Sequence, residues 1–159
     1  MNLGAINGSI VVIGLILGCI MMGSPWVVFV DPVSVFVVGA GSTAVLLAAH
    51  GTTGLSTIVR AVECWLSGST SGWSSDELAH AARLAQTGGK AAMLTGWVGF
   101  MIGATQVLQY LDPSDLTDLG PVCAVMVLTV LYGLCLKLVV WLPLESWLME
   151  QALRLRDEA

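Results

Sequence analysis

The stretch "DLGPVCAVMVLTVLYGLCLKL", residues 118–138, decides the fold class. After its first residue it is almost wholly apolar, with one threonine and, late in the run, one lysine. A membrane-spanning helix needs about 20 mostly apolar residues, and this stretch supplies them. The whole chain agrees, because 56% of its 159 residues are hydrophobic and 11% are charged, whereas an average soluble domain has about 25% charged residues. We predict an integral membrane protein with a single domain, 1–159.

Further apolar runs predict three more membrane helices, so the expected fold is an all-α membrane protein with four transmembrane helices in two hairpins. A cytoplasmic segment with short helices is expected between the second and third spans, and Ser74 and Glu77 are spaced as a capping box within it. The helix that begins there is expected to run on towards the third span, although Gly88 and Gly89 weaken the join. The predicted spans are about 3–22, 33–49, 91–111 and 121–142, the cytoplasmic segment is 50–90, and the C-terminal cytoplasmic helix is 144–159.

The charges orient these spans. Every Lys and Arg except Lys137 lies between spans two and three or after span four, while the other two loops carry only acids. The positive-inside rule therefore places both termini and the middle segment in the cytoplasm. The net charge of −5 comes with no basic patch for nucleic acid. Four cysteines form no CxxC pair, and no nucleophile–base or metal-ligand spacing occurs, so neither a cofactor nor an enzymatic activity is expected.

The membrane spans are poor in ionisable groups, which are costly at bilayer depth and usually functional there. No Asp, Glu or His falls well inside a predicted span, and Lys137 is the one charged residue that does. Two interpretations stand for Lys137. The favoured one is a side chain that snorkels to the cytoplasmic interface or forms a local salt bridge, and the other is a direct role in transport.

Mildly polar faces run along the third and fourth spans. At 100° per residue, Thr95, Gly99 and Gln106 point in one direction on the third span, and Thr129 shares a face with Gly133 on the fourth. Such faces are typical of helices that pack against protein or line a pore. Ordinary helix packing, with the threonine hydroxyls bonded to their own backbone, explains the pattern equally well.

Several of these segments resemble the MotA/TolQ/ExbB superfamily and are closest to the MotA/PomA flagellar stator proteins. "FVDPVSVFVVGAGSTAVLL", 29–47, resembles the first periplasmic turn and second helix of those proteins. "GFMIGATQVLQYLD", 99–112, is similar to their third helix, and "GPVCAVMVLTVLYG", 120–133, to the start of their fourth. The resemblance covers all four spans in order, and four spans favour the MotA branch over the three-span ExbB and TolQ proteins.

The resemblance implies a homopentamer in the bacterial inner membrane around a single-span partner like MotB, ExbD or TolR. That partner brings the aspartate that takes up and releases the ion, and ion flow past it drives rotation. The implication fits a chain that has no carboxylate of its own within the spans. With helices three and four on the inside, the expected ion-pathway wall is Thr129, Thr95 and Thr105, the close-packing positions are Gly99, Gly103 and Gly133, and Pro121 marks the periplasmic start of helix four.

The chain departs from this family in three respects. Its segment 50–90 is too short for the rotor-contacting domain, on the order of a hundred residues, of flagellar MotA, so we expect a load other than a flagellar rotor. The usual helix-four threonine aligns with Val130, next to Thr129. A third-helix threonine of sodium-type members aligns with Phe100, so protons are favoured over sodium as the transported ion.

Two other functions compete with the motor interpretation. The main alternative is a non-conducting membrane scaffold that oligomerises through its glycine faces. A subunit of a small-solute transporter is disfavoured, since the sequence shows no inverted repeat and no charged residue at the middle of the membrane.

Overall fold

The computed structural model describes residues 3–23, 26–110 and 119–158, and these residues are almost entirely helical with no strand among them. This confirms the all-α class. In chain order the elements are α1 (Leu3–Gly23), a 3-10 turn (Trp26–Phe29), α2 (Pro32–Ser67), α3 (Ser75–Tyr110), α4 (Leu119–Leu136), a π-helical turn (Lys137–Trp141) and α5 (Leu142–Asp157).

Three helical stretches are long and apolar enough to cross a membrane, which makes this a membrane-embedded protein. They are Val27–Ser67, Ser75–Tyr110 and Leu119–Asp157. The 36 residues of α3 span about 54 Å at 1.5 Å per residue, whereas the hydrocarbon core of a bilayer is about 30 Å thick. Each of these helices is therefore much longer than a bilayer needs. The shorter α1 contains the apolar run Ile10–Met22 and contacts the π turn and α5.

The segment between the second and third predicted spans differs from the expectation of short helices. Residues 52–67 continue α2. Residues 75–90 are the first part of α3, so the helix that begins after Ser74 does run on into the third span. A break in α2 at Gly51, with φ 65° and ψ −170°, lies beside the boundary that was predicted near residue 50. Glycine suits this left-handed conformation because it has no Cβ to clash. The end of the predicted third span, Leu111, and the acidic loop after it lie outside the described residues.

Residues of α2, α3 and α5 pack together around a shared core, which we call the distal core. Alanines on α3 let the helices approach closely, and Leu78, Leu84, Leu144 and Leu148 are fully buried between them. Burying one such leucine contributes about 2 kcal/mol. The core explains why these helices extend beyond the length of a bilayer: their apolar faces cover one another. Its members are Ile58, Ala61, Cys64, Leu78, Ala81, Ala82, Leu84, Ala85, Leu144, Trp147, Leu148 and Ala152.

Local signals set the helix ends. The predicted capping box at α3 is confirmed, since Ser74 N donates to Glu77 Oε2 at 2.8 Å and Glu77 N donates to Ser74 Oγ at 3.3 Å. Asp31 caps α2 by accepting hydrogen bonds from two backbone amides of its first turn, each at 3.2 Å. At the other end of α2, Gly68 adopts φ 68° and donates to Cys64 O.

Helices α4 and α5 are joined by the π turn and form one continuous helix. The amide of Leu142 donates to Lys137 O, five residues earlier. Pro143 follows directly. A proline has no amide to donate and its ring clashes with the carbonyl four residues earlier in a regular helix, so the wider turn accommodates it without ending the helix.

Candidate functional site

The crossing of α3 and α4 brings backbone against backbone. A Cβ at Gly133 would lie 2.6 Å from Ala92 O, and a Cβ at Gly96 would lie 2.7 Å from Thr129 O. Neither distance is compatible with a real side chain, so both glycines are needed for this approach. Gly133 is thus a helix-packing residue within the chain, and its contact with a partner stays a prediction.

Thr129 lies inside this crossing. Its side chain is only 7% exposed and packs against Gly99, where a Cβ would lie 3.3 Å from Thr129 Cβ. Thr129 Oγ1 donates to Met126 O at 2.7 Å. The structure therefore brings Thr129 and Gly99 together within one chain, and the predicted contact of Gly99 with a partner stays a prediction. The hydroxyl proton is, however, directed to the residue's own helix.

The other two predicted wall threonines lie on different surfaces. Thr95 faces α2, where a Cβ at Gly41 would lie 2.8 Å from Thr95 Cγ2, and its Oγ1 donates to Ala91 O at 2.9 Å. Thr105 is on an exposed surface of α3 and donates to Met101 O at 2.8 Å. Within one chain the three threonines therefore do not form a single wall, and all three hydroxyls bond their own helix.

The two remaining predicted site residues are Gly103 and Pro121. A Cβ at Gly103 would lie 2.6 Å from Met126 Cγ, so Gly103 too is at the α3–α4 contact, although here against a flexible side chain. Pro121 is exposed in the first turn of α4. Its missing amide costs no helical hydrogen bond there, because the first turn has no partner for that group.

Lys137 opens the π turn and faces α3. A Cβ at Gly89 would lie 3.5 Å from Lys137 Cγ, and the Nζ of Lys137 donates to Met93 Sδ at 3.9 Å. The one ion pair in the described part of the chain is between Arg154 and Glu150 on α5. Lys137 thus has no carboxylate within ion-pairing distance among the described residues.

Tyr132 is a contact that the sequence analysis did not anticipate. Its hydroxyl accepts a hydrogen bond from Asp31 N at 2.9 Å and donates one to the carbonyl of Phe29. This fastens the start of α2 to the middle of α4. The signal in the sequence is a lone phenol within an aliphatic run, since a buried tyrosine hydroxyl usually finds a partner.

Trp141 closes the π turn against a gap in α3. A Cβ at Gly88 would lie 2.7 Å from its ring atoms, and one at Gly89 would lie 3.1 Å from its Cβ. The indole Nε1 is buried and has no hydrogen-bond partner in the described structure. Gly88 and Gly89, whose low helix propensity disfavours a continuous α3, therefore leave room for this ring.

The chemical possibilities of these residues are narrow. Within the described ranges no group of three or more His, Cys, Asp or Glu side chains is placed to hold a metal ion. The sequence matches no protein-family model and no curated protein.

Proposed function

We propose that this chain is the ring-forming subunit of a proton-driven rotary motor in the bacterial inner membrane. Five copies surround a single-span partner that supplies the acidic residue, both termini lie in the cytoplasm, and the motor converts proton motive force into mechanical work. The proposal takes its mechanism from the resemblance to MotA, and its support from three features of the structure.

The feature that carries the proposal is the continuity of the helices. α3 runs from the distal core at Leu78 to Tyr110, and α4 continues through the π turn into α5. Both helices therefore link apolar, membrane-length segments to a densely packed core outside them. A motor subunit needs this property, because a displacement produced in the membrane must reach the load without being absorbed by a flexible join.

The second supporting feature is the composition of the membrane-length segments. Within the described parts of residues 33–49, 91–110 and 119–142, there is no Asp, Glu or His. Proton transport through a bilayer generally uses such groups. A proton pathway along this chain therefore requires a carboxylate from another polypeptide, which the proposed partner provides.

The third feature is the packing of Thr129 on Gly99 at the α3–α4 crossing. Rotation of the Thr129 side chain away from Met126 O would free its hydroxyl to bond a neighbouring acid or water.

The hydrogen bonds of the threonine hydroxyls also favour a second function. Because the hydroxyls of Thr129, Thr95 and Thr105 all bond their own helix, a non-conducting oligomeric scaffold explains the structure without an ion path.

Reconstitution separates these two functions. We expect liposomes that contain this chain alone to carry no substantial proton or sodium flux, and liposomes that contain it with its single-span partner to carry protons. Substantial proton or sodium flux through the chain alone would overturn the motor proposal. A complete complex that carries no flux would favour the non-conducting scaffold. Particle images of the purified complex should show five subunits around its axis.

Thr129→Val tests the assignment of the wall residue in the same complex. Thr43→Val is a matched control, because Thr43 is exposed on α2 and its Oγ1 donates to Gly39 O at 2.9 Å, a bond of the same kind. We expect Thr129→Val to reduce proton-driven activity and Thr43→Val to leave it unchanged. Intact activity in Thr129→Val would remove Thr129 from the pathway while leaving the motor itself in place.

A further inference from the structure

Lys137 brings an ammonium group to the end of the membrane-length segments that adjoins the distal core, and no acid pairs with it there. Its Nζ donates to Met93 Sδ at 3.9 Å, and a thioether is a weak acceptor. No carboxylate lies within ion-pairing distance of Lys137 among the described residues. Because a charged group without a counter-ion is costly in a membrane, this position favours the binding of an anion.

Lys90 places a second ammonium group near the first. It precedes Met93 by three residues, so the two positions are about 60° apart around α3 and about 4.5 Å apart along it. Lys90 is exposed, and the hydrogen bond from its Nζ to Gln86 Oε1 is long, at 3.4 Å. The same glutamine donates from Nε2 to Glu145 Oε1 at 3.0 Å. Two ammonium groups and one carboxylate leave one net positive charge, which matches the single negative charge of a phosphate diester.

An open apolar groove, which we call the α3 groove, continues from these lysines along the helix. Its volume is about 620 Å³, and it runs from Leu94 to Gln106. Leu94, Trp97 and Met101 follow Lys90 by four, seven and eleven residues, which places all three within about 40° of Lys90 around α3. Their side chains are 58%, 48% and 60% exposed. The two ammonium groups and the α3 groove therefore lie on the same side of α3.

The length of the α3 groove matches one leaflet of a bilayer. Leu94 and Gln106 are twelve residues apart, or about 18 Å at 1.5 Å per residue, and half of a hydrocarbon core is about 15 Å thick. A membrane helix of another protein would instead cross the whole core of about 30 Å. The charges and the groove together therefore fit an amphiphile that has one anionic head and tails of the length of one leaflet.

We propose that Lys137, Lys90 and the α3 groove form a binding site for an anionic phospholipid of the leaflet that adjoins the distal core. The phosphate lies between the two ammonium groups, and one acyl chain lies against Leu94, Trp97 and Met101. Basic residues between membrane helices at the bilayer surface bind such headgroups through their charge. The inference does not depend on the motor function, because it uses only the charges and the surface of this chain.

Quenching of tryptophan fluorescence by lipids with brominated acyl chains tests the site in the full chain. The protein is placed in phosphatidylcholine nanodiscs that contain a rising fraction of brominated phosphatidylglycerol, and the quenching that is lost in Trp97→Phe gives the contribution of Trp97. We expect brominated phosphatidylglycerol to quench Trp97 at lower fractions than brominated phosphatidylcholine does. Lys137→Met and Lys90→Met should each weaken the apparent affinity for phosphatidylglycerol about fivefold, and the double variant about twenty-five-fold, since each interfacial lysine contributes separately.

Two further variants separate the site from a general effect of charge or of misfolding. Arg83→Met is the matched control, because Arg83 is exposed and lies seven residues before Lys90, on the same side of α3 but about 10 Å farther from the groove. It should bind phosphatidylglycerol like the wild type. Lys137→Arg keeps the charge and should retain binding. An unchanged helical circular-dichroism spectrum confirms that each variant folds.

Several outcomes would overturn the lipid site. Equal quenching of Trp97 by the two brominated lipids would mean that the headgroup is not recognised, and no quenching by either would mean that another polypeptide covers the α3 groove. Equal weakening in Arg83→Met and Lys137→Met would reduce the effect to general charge. Displacement of the lipid by inorganic phosphate, but not by potassium chloride of the same ionic strength, would make the site one for free phosphate. None of these results depends on proton flux, so the lipid site and the motor can fail separately.

Discussion

The α3–α4 crossing can be tested with a single methyl group, in the variant Gly133→Ala. The new Cβ would lie 2.6 Å from Ala92 O, about 0.7 Å less than an ordinary close C···O contact of about 3.3 Å. The Cβ is fixed in position by the helical backbone and the oxygen belongs to it, so neither atom can rotate away. The two helices must separate by several tenths of an ångström over the whole crossing, and this separation loosens the packing of Thr129 on Gly99.

The size of the effect follows from two opposing terms. Overpacking a close contact costs about 1–3 kcal/mol, and replacing glycine by alanine within a helix returns up to about 1 kcal/mol. We therefore expect Gly133→Ala to lower the free energy of unfolding by about 1–2 kcal/mol, which is a 5- to 30-fold change in the ratio of folded to unfolded chains. Sodium dodecyl sulfate added to mixed micelles, with far-ultraviolet circular dichroism as the signal, measures this change.

Gly39→Ala is the matched control. Gly39 is also a helical glycine in a membrane-length segment, but its Cβ would meet nothing within 4 Å. This variant should unfold at the wild-type detergent fraction or slightly above it. If Gly133→Ala behaves in the same way as Gly39→Ala, the two helices do not approach as closely as the structure shows, and the account of the crossing fails.

Three further predictions concern parts of the chain outside the crossing. Asp31→Ala removes the side-chain cap of α2 and should lower the free energy of unfolding by about 1 kcal/mol, whereas Asp31→Asn should retain most of it. Backbone and then side-chain hydrogen bonds from Ser74 lower the pKa of Glu77 from its ordinary 4.5. The stability that the ionised Glu77 contributes is complete above pH 4.5 and is lost as the pH falls through the lowered pKa. A pH titration of unfolding should therefore show a steeper loss of stability in acid for the wild type than for Glu77→Gln. Burial raises the pKa of the Cys64 thiol, so mass spectrometry should show alkylation of Cys64 by N-ethylmaleimide at least about tenfold slower than at an exposed cysteine introduced by Ser71→Cys, and equal rates would contradict its placement in the distal core.

The sequence predicted the all-α class and the apolar runs of the three membrane-length helices because each signal is local. Apolar runs of about 20 residues specify membrane-length helices wherever they occur, and the Ser74–Glu77 pair specifies a helix start without help from the rest of the chain. The break at Gly51 is also a local event, and the predicted boundary near residue 50 falls beside it. The continuation of α2 beyond Gly51 was not predicted for a different reason, since the distal core forms only when stripes from three separate helices meet.

The candidate site was harder to predict because helical angles relate residues on one helix and do not say which neighbour covers them. Thr95 and Gly99 point in similar directions, yet Thr95 contacts α2 and Gly99 contacts α4. The hydrogen bond from Asp31 to Tyr132 joins positions 101 residues apart. Neither residue belongs to a sequence pattern that predicts contact with the other, so this hydrogen bond could be identified only in the folded structure.

The π turn mechanically connects the membrane-length α4 to α5. It begins at Lys137 and ends at Trp141, whose ring fills the gap over Gly88 and Gly89. The carbonyl of Lys137 accepts the Leu142 amide at the point where α4 becomes α5. Because α5 supplies one wall of the distal core, a shift of this turn cannot be confined to the membrane segment. Gly88→Ala would displace the Trp141 ring. We then expect the exposure of Trp147 in the distal core to change together with the α3–α4 crossing. A change limited to the fluorescence of Trp141 would show that the turn does not transmit motion.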